Sequence, residues 1–352
     1  MTQIAARPTN ATPWKNRNKK NVAVIALAST IPSLIAVLVS NNLGLSGLAT
    51  LFVVFLPLQL ITSALAALSL RGKRGVADSF LNVGVIFSTI TIGIMLGSVL
   101  FSVIRWGLKA LSPHFLYQNS VYVTPTTSLE YGGVGHAILG SLIIVGLVTL
   151  VTVPLGIAVA VYLTETNGRF RGPVRFFSQA MSGLPSIVAG LFIYAVFIAS
   201  GAIRPVGWLG AASLLLLMLP TIARMSEEVL KLVPGDLRSA ALALGAPRRR
   251  AFFQVILPAA KTGLITAVLL GLARVFGETA PLILTTNISN ETNINPTSNG
   301  MTTLTTYIYS FLGAGYDTSR QRAWGAALVL LIVIGILFSL ARILGSKEVG
   351  KK

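Results

Sequence analysis

Two charged residues interrupt an otherwise apolar run late in the chain: Arg274 and Glu278, in Leu-Ala-Arg-Val-Phe-Gly-Glu-Thr-Ala-Pro-Leu-Ile-Leu. A charge in a membrane-length apolar segment costs about 2.5–3.5 kcal/mol on insertion scales, which makes each a candidate for function. At a spacing of four they share a helical face and can pair. Arginine's planar fork of donors suits tetrahedral oxyanions, and its high pKa keeps it charged when desolvated. The spacing therefore predicts that Arg274 meets an anion while Glu278 keeps the guanidinium oriented, with Thr279 adding a hydroxyl donor. Counting from Lys261 puts Arg274 about 20 Å along a helix, beyond the midplane toward the outside. Arg224, in Leu-Pro-Thr-Ile-Ala-Arg-Met-Ser-Glu-Glu, is a candidate second cationic station. Two alternatives stand beside these readings: a self-neutralising pair that fixes helix packing at Arg274–Glu278, and an interfacial anchor near Glu227 and Glu228 at Arg224.

The elements that position these residues follow from composition. Of 352 residues 53% are hydrophobic and 11% charged, against roughly 25% charged in a soluble domain. The net charge of +18 is carried in clusters separated by apolar runs. Cysteine is absent and only His114 and His136 offer imidazole, which excludes a disulfide framework, thiolate redox chemistry and a multi-histidine metal centre. A helix needs roughly 20 mainly apolar residues to cross the hydrocarbon core. Eight segments qualify: Val22–Ser40, Leu45–Leu70, Phe80–Ile104, Ala137–Leu163, Phe176–Ser200, Val206–Ala223, Thr262–Thr285 and Ala323–Leu344. The first has no small-residue cleavage site before the next span, so it reads as a span and not a signal peptide. The fold class is an all-α polytopic membrane protein of about eight transmembrane helices.

With the N-terminus inside, 22 of the 28 lysines and arginines fall in inner segments, five in outer ones, and Arg274 in a span. That asymmetry predicts a multi-pass protein with both termini cytoplasmic, and it assigns the basic clusters to topology near anionic lipid, with no nucleic-acid partner. The expected organisation is a polar N-terminus without fixed structure (1–21), a transmembrane hairpin (22–76), a span with an outer loop (77–135), a five-span block (136–345) containing an inner loop (224–261), and a tail (346–352).

The inner loop reads Glu-Glu-Val-Leu-Lys-Leu-Val-Pro-Gly-Asp-Leu-Arg-Ser-Ala-Ala-Leu-Ala-Leu-Gly-Ala-Pro from Glu227. Leu237, Ala240, Ala241 and Leu244 have helical spacing. Gly245 after them is a stop signal and Pro247 suits a new start. Two short helices at an angle are expected, the second basic and aromatic and ending at Pro258, with Phe252, Phe253 and Ile256 able to dock into a groove. This stretch resembles the EAA loop of ABC-transporter permeases: Ala240-Ala241 fill the two alanines, Gly245 the glycine, and Val255-Ile256-Leu257-Pro258 the end. Ser239 stands where that pattern has Glu, removing a carboxylate that often anchors the loop. The resemblance implies the fold of a type I ABC importer permease, with Ser239, Ala240, Ala241, Gly245 and Pro258 contacting separate ATPase subunits. No G-x-x-x-x-G-K-[ST] phosphate loop occurs in the chain, so it is read as no enzyme and as needing no cofactor, ATP being bound by its partners.

A narrower resemblance lies elsewhere. Arg274-Val-Phe-Gly-Glu-Thr-Ala-Pro-Leu282 is similar to the R-A-x-G-E-T-A-P-L signature of PstA-type permeases of phosphate importers. Gly183-Leu-Pro-Ser-Ile-Val-Ala-Gly-Leu-Phe192 resembles their G-x-P-S-I-V-x-G-L-F, and Leu219-Pro220 through Arg224, Glu227 and Pro234 follows a third run. It implies a PstC-like second permease, two PstB-like ATPases, a PstS-like extracytoplasmic phosphate-binding protein and the cytoplasmic membrane of a prokaryote. Six spans are usual there, which leaves Val22–Leu70 as an additional hairpin. Physically, Gly183, Pro185 and Gly190 let a helix kink and approach a neighbour closely, as a gating element needs. An importer of sulfate, molybdate or phosphonate, a non-transporting membrane scaffold or sensor, and an ion-gradient carrier are the alternatives.

Overall fold

The computed structural model describes residues 19–346, and among them every regular element is helical. The terminal stretches assigned above to the N-terminus up to residue 18 and to the tail from 347 lie outside the described residues. The chain divides into two compact units, one ending at Leu100 and one beginning at Phe101.

In the first unit α1 (Lys19–Leu43) and α2 (Gly47–Arg71) form the expected hairpin, turning at Gly44 with φ +60°. Pro32 inside α1 has no N–H to give the Ala28 carbonyl. That carbonyl instead accepts Thr62 Oγ1 at 2.7 Å and Gln59 Nε2 at 3.3 Å from α2. An orphaned backbone acceptor thus becomes the polar lock between the two helices. Gly72, at φ +70°, turns the chain into α3 (Lys73–Gly107).

The second unit takes in the end of α3 and continues with the short α4 (Pro113–Tyr117), then α5 (Gly135–Glu165), α6 (Arg171–Ser182), α7 (Ser186–Ile198) and α8 (Gly207–Leu232). It continues with α9 (Gly235–Ala243), α10 (Arg248–Phe276), α11 (Ala280–Thr285), α12 (Leu304–Gly313) and α13 (Asp317–Ser346). The hub is α8, which is more deeply buried than α5 or α10. Ile222 on α8 shows how close the packing is. A Cβ at Gly156 of α5 would lie 2.8 Å from its Cγ2, and one at Gly271 of α10 would lie 2.9 Å from its Cγ1. Ile144, Val148, Leu214, Leu217, Met218 and Phe276 complete this core.

At one end of the unit the loops are pinned, not loose. Arg322 of α13 is fully buried, and its Nη2 donates to the carbonyls of Ser128 and Tyr131, both at 2.7 Å. Thr303 and Thr306 cap α12 reciprocally.

Four expectations change. Phe176–Ser200 is not one continuous helix: α6 and α7 meet at 105° across Gly183–Pro185, because Pro185 lacks the N–H a continuous helix needs and holds Leu184 out of helical geometry. Thr262–Thr285 is broken after Phe276, since Pro281 cannot donate to Gly277 in a continuing helix. Most of 224–261 is helix and not open loop: α8 runs on through Arg224 to Leu232, α9 follows at Gly235–Ala243, and α10 begins at Arg248. Pro258 does not end a helix either. It follows a π-helical segment, Phe252–Ile256, and α10 passes through it into the span, the widened turn accommodating the proline ring.

Candidate functional site

Arg274 occupies the last turn of α10. Gly277 and Glu278 donate to the carbonyls of Arg274 and Val275, both at 3.2 Å, so the helix tightens and stops there. Glu278 therefore lies in a non-helical break and not on a shared helix face, yet its Oε1 is still 3.8 Å from Arg274 Nε. The guanidinium also donates from Nη1 to Thr221 Oγ1 at 3.1 Å. Thr221 stands near the middle of the 26-residue α8 and three residues before Arg224, so the guanidinium lies near the end of that helix's uncharged stretch. The Arg274 side chain remains 42% exposed. It is a cation at the end of an apolar helix, held by one long ion pair and one hydroxyl, with donors to spare.

The backbone of the break is fixed from two sides. Thr305 Oγ1 donates to the Glu278 carbonyl at 2.9 Å. Thr279 caps α11, its carbonyl accepting Leu282 and Ile283 N–H at 3.1 Å. Gly190 of α7 packs directly behind: a Cβ there would meet Pro281 Cα at 2.6 Å. Gly190 is thus a close-approach residue, whereas Gly183 has φ −89° and nothing nearer than 3.6 Å to an added Cβ. Of the three expected kink residues, Pro185 accounts for the bend.

One turn along the same face of α8 from Thr221 lies Arg224, whose Nε is 3.5 Å from Glu228 Oε1 with both side chains more than half exposed. It does not join the Arg274 pair. It lines a separate cleft of about 280 Å³ with Arg175, Lys231 and Glu227. Glu227, 12% exposed at its side chain, accepts Arg175 Nη2 and Lys231 Nζ, each at 2.7 Å.

The helix α9 carries Ser239, Ala240 and Ala241. It ends in a Schellman turn: Ala246 N–H donates to Ala241 O at 3.1 Å and Gly245 N–H to Leu242 O at 3.0 Å. Gly245 has φ +81° with nothing within 4 Å of an added Cβ, so its requirement is conformational, not steric. With no carboxylate at 239, the helix is tied to the bundle by Arg238 Nη2 to Glu165 Oε1 of α5 at 2.6 Å. Leu237, Leu242 and Leu244 stay exposed.

The structure thus unites Arg274 and Glu278, adds Thr221 and Thr305, which the sequence did not single out, and pairs Glu227, named there only beside Arg224, with Arg175 and Lys231. Thr221 follows Pro220 in a span, and that hydroxyl beside a proline was the available signal.

Residues 152–348 match the family of binding-protein-dependent transport system inner membrane components. The phosphate transport system permease protein PstA of Haemophilus influenzae is 36% identical over 258 residues, covering 72% of this chain and 89% of that protein. PstA 1 of Mycobacterium tuberculosis is 39% identical over 207 residues, 58% and 68% of the two chains. PstA of Yersinia pestis is 33% identical over 252 residues, 71% and 83%. Among solved structures, an amino acid ABC transporter with histidines aligns at 15% identity and TM-score 0.46, covering 60% of this chain and 92% of that one. The inward-facing MetNI methionine transporter aligns at 21% and 0.44, covering 61% and 92%.

Proposed function

Because the chain belongs to the family of binding-protein-dependent transport system inner membrane components, we propose that it is the PstA-type permease subunit of an ATP-driven importer of inorganic phosphate. One observation carries the reading: Arg274, in the apolar α10 and level with Thr221 of α8, keeps 42% of its side chain exposed, with the Glu278 carboxylate at 3.8 Å and the Thr221 hydroxyl at 3.1 Å. An intramembrane arginine is stable where it faces protein or a water-filled path, not lipid tails. A fork of donors that is incompletely used and already charged is suited to a passing oxyanion, and the opposing carboxylate keeps that binding weak enough for release.

In this reading the exposed face belongs to the pathway shared with a PstC-like second permease. A PstS-like protein delivers phosphate at the loop end pinned by Arg322. Two PstB-like ATPases bind ATP and grip α9 through Ala240, Ala241 and the Gly245 turn, with Ser239 at the contact. The lysine and arginine asymmetry supports a topology with both termini and α9 on the cytoplasmic side. No bond is made or broken by this chain. Its work is alternating access, with the α6–α7 bend and the Gly190–Pro281 contact placing the break at Glu278 on the moving elements. Arg224 is a second station at the cytoplasmic end.

The test is radiolabelled phosphate uptake in cells carrying Arg274→Ala, with expression and complex assembly confirmed. Loss of a charge-assisted contact of about 2 kcal/mol lowers uptake roughly 30-fold. Uptake at the wild-type rate refutes the reading. Competition by sulfate, molybdate or phosphonate that matches unlabelled phosphate would assign another oxyanion.

A further inference from the structure

The pinned loop end has buried polar groups that the transport reading does not use. Arg322 of α13, Tyr307 of α12 and Ser120 of the loop before α5 are no more than 1% exposed, and His136 in the first turn of α5 is 2% exposed. The packing around them is apolar, with Phe115, Val134, Leu304 and Val329 all buried. Only one end of the Arg322 guanidinium is used. Its Nη2 donates to the Ser128 and Tyr131 carbonyls, while Nε and Nη1 are buried with no hydrogen-bond partner. The Tyr307 hydroxyl faces Ser120 and Arg322 yet hydrogen-bonds to neither. Both ring nitrogens of His136, whose ring stands edge-on to Tyr307 at 5.7 Å, are also without a partner. Among the described residues no carboxylate lies within 4 Å of Arg322; Asp317, earlier on the same helix, pairs with Arg320 instead.

We propose that this cluster binds a small monovalent anion, a halide such as chloride, held by Nε and Nη1 of Arg322 and by the Tyr307 hydroxyl. Charge and donor count select the ligand. Nε carries one hydrogen, Nη1 two and the phenol one, so four donors gather here with no protein acceptor. A buried guanidinium without a counter-charge is costly, and a single anion both neutralises it and accepts those donors. A water is the poorer match. It would bring two further donors to a place where the Ser128 carbonyl already accepts Tyr131 N–H and Arg322, and it would leave the charge uncompensated. Enclosure selects the size and the role. With Arg322 and Tyr307 shut off from solvent, a transported oxyanion has no way in and out, so the ion is a resident brace between α12, α13 and the loop that Nη2 holds. Nothing in this assignment depends on which substrate the chain moves.

The transporter purified and crystallised with bromide as the only halide should show an anomalous peak in contact with Arg322 Nε and the Tyr307 hydroxyl. No peak there, or density that bromide leaves unchanged as for an ordered water, overturns the proposal. In solution, replacing gluconate by chloride should raise the melting temperature of the purified transporter in a saturable way. Tyr307→Phe keeps the ring and removes one donor to the ion, so half-saturation should need about tenfold more chloride. Arg322→Gln removes the charge that calls for the anion and should abolish the saturable rise. If Arg322→Gln fails to assemble, the bromide peak and Tyr307→Phe decide. A wild-type melting temperature indifferent to chloride, or half-saturation unchanged in Tyr307→Phe, overturns the assignment. Neither readout involves phosphate uptake, so an Arg274→Ala variant that transports normally refutes the substrate reading and leaves this one standing.

Discussion

Two charged groups on or beside α8 are handled in opposite ways. Glu227 is 12% exposed at its side chain and accepts two cations at 2.7 Å, so its charge is matched more than once over. Arg274, at the level of Thr221, has one carboxylate at 3.8 Å and one hydroxyl at 3.1 Å and remains 42% exposed. Both belong to helices of the bundle, where a buried charge without a partner is costly. The closely matched carboxylate is a structural tie between α6 and α8. The loosely matched arginine retains capacity for a further ligand, and that unused capacity separates a site from a brace.

The contrast is open to attack at three points. The largest effect is expected at Gly190→Ala, where a Cβ would overlap Pro281 Cα at 2.6 Å. Backbone cannot swing away as a side-chain tip can, so the overpacking should cost about 1–3 kcal/mol and shift the break that carries Glu278. Phosphate uptake per molecule should fall, with a smaller loss of thermal stability in the purified complex. A variant with normal stability and uptake would show that the two helices have slack.

Glu227→Gln should do the reverse. It removes a charge shared by Arg175 and Lys231, which are 39% and 53% exposed at their side chains, so solvent screening limits the loss to about 1 kcal/mol. The complex should melt earlier while each surviving molecule transports normally. Abolished uptake at unchanged stability would move Glu227 into the site. The smallest effect is expected in the N-terminal hairpin. Thr62→Val removes the 2.7 Å bond to the Ala28 carbonyl but leaves Gln59 in place. Such bonds between membrane helices average about 0.6 kcal/mol. A drop of that size in the hairpin's unfolding free energy, with uptake intact, would place the lock among the braces.

Much of the architecture was legible along the chain. Seven of the eight expected spans correspond to continuous helices or to the longest part of one, because a run of apolar side chains is a local signal read at 1.5 Å per residue. The Arg274–Glu278 proximity and the Gly245 turn were local too: the first spans four residues, and the second needs only a left-handed backbone after a helix. The breaks were harder. Pro185 and Pro281 are visible as prolines, yet Pro154 and Pro220 sit inside unbroken helices, so a proline alone does not tell whether a span bends by 105° or continues.

What the amino-acid sequence determined by itself is that this chain lives in a membrane, where apolar runs of the required length leave no alternative, and that one arginine lies among them. Only the tertiary structure decided which charges are spent on each other. Thr221 and Arg274 are 53 residues apart, Arg175 and Glu227 52, and Arg238 and Glu165 73. Such partners carry no shared periodicity. Thr221 and Arg274 meet where Ile222 seats against Gly156 and Gly271 and α5, α8 and α10 pack together, and packing of that kind is settled by shape in three dimensions.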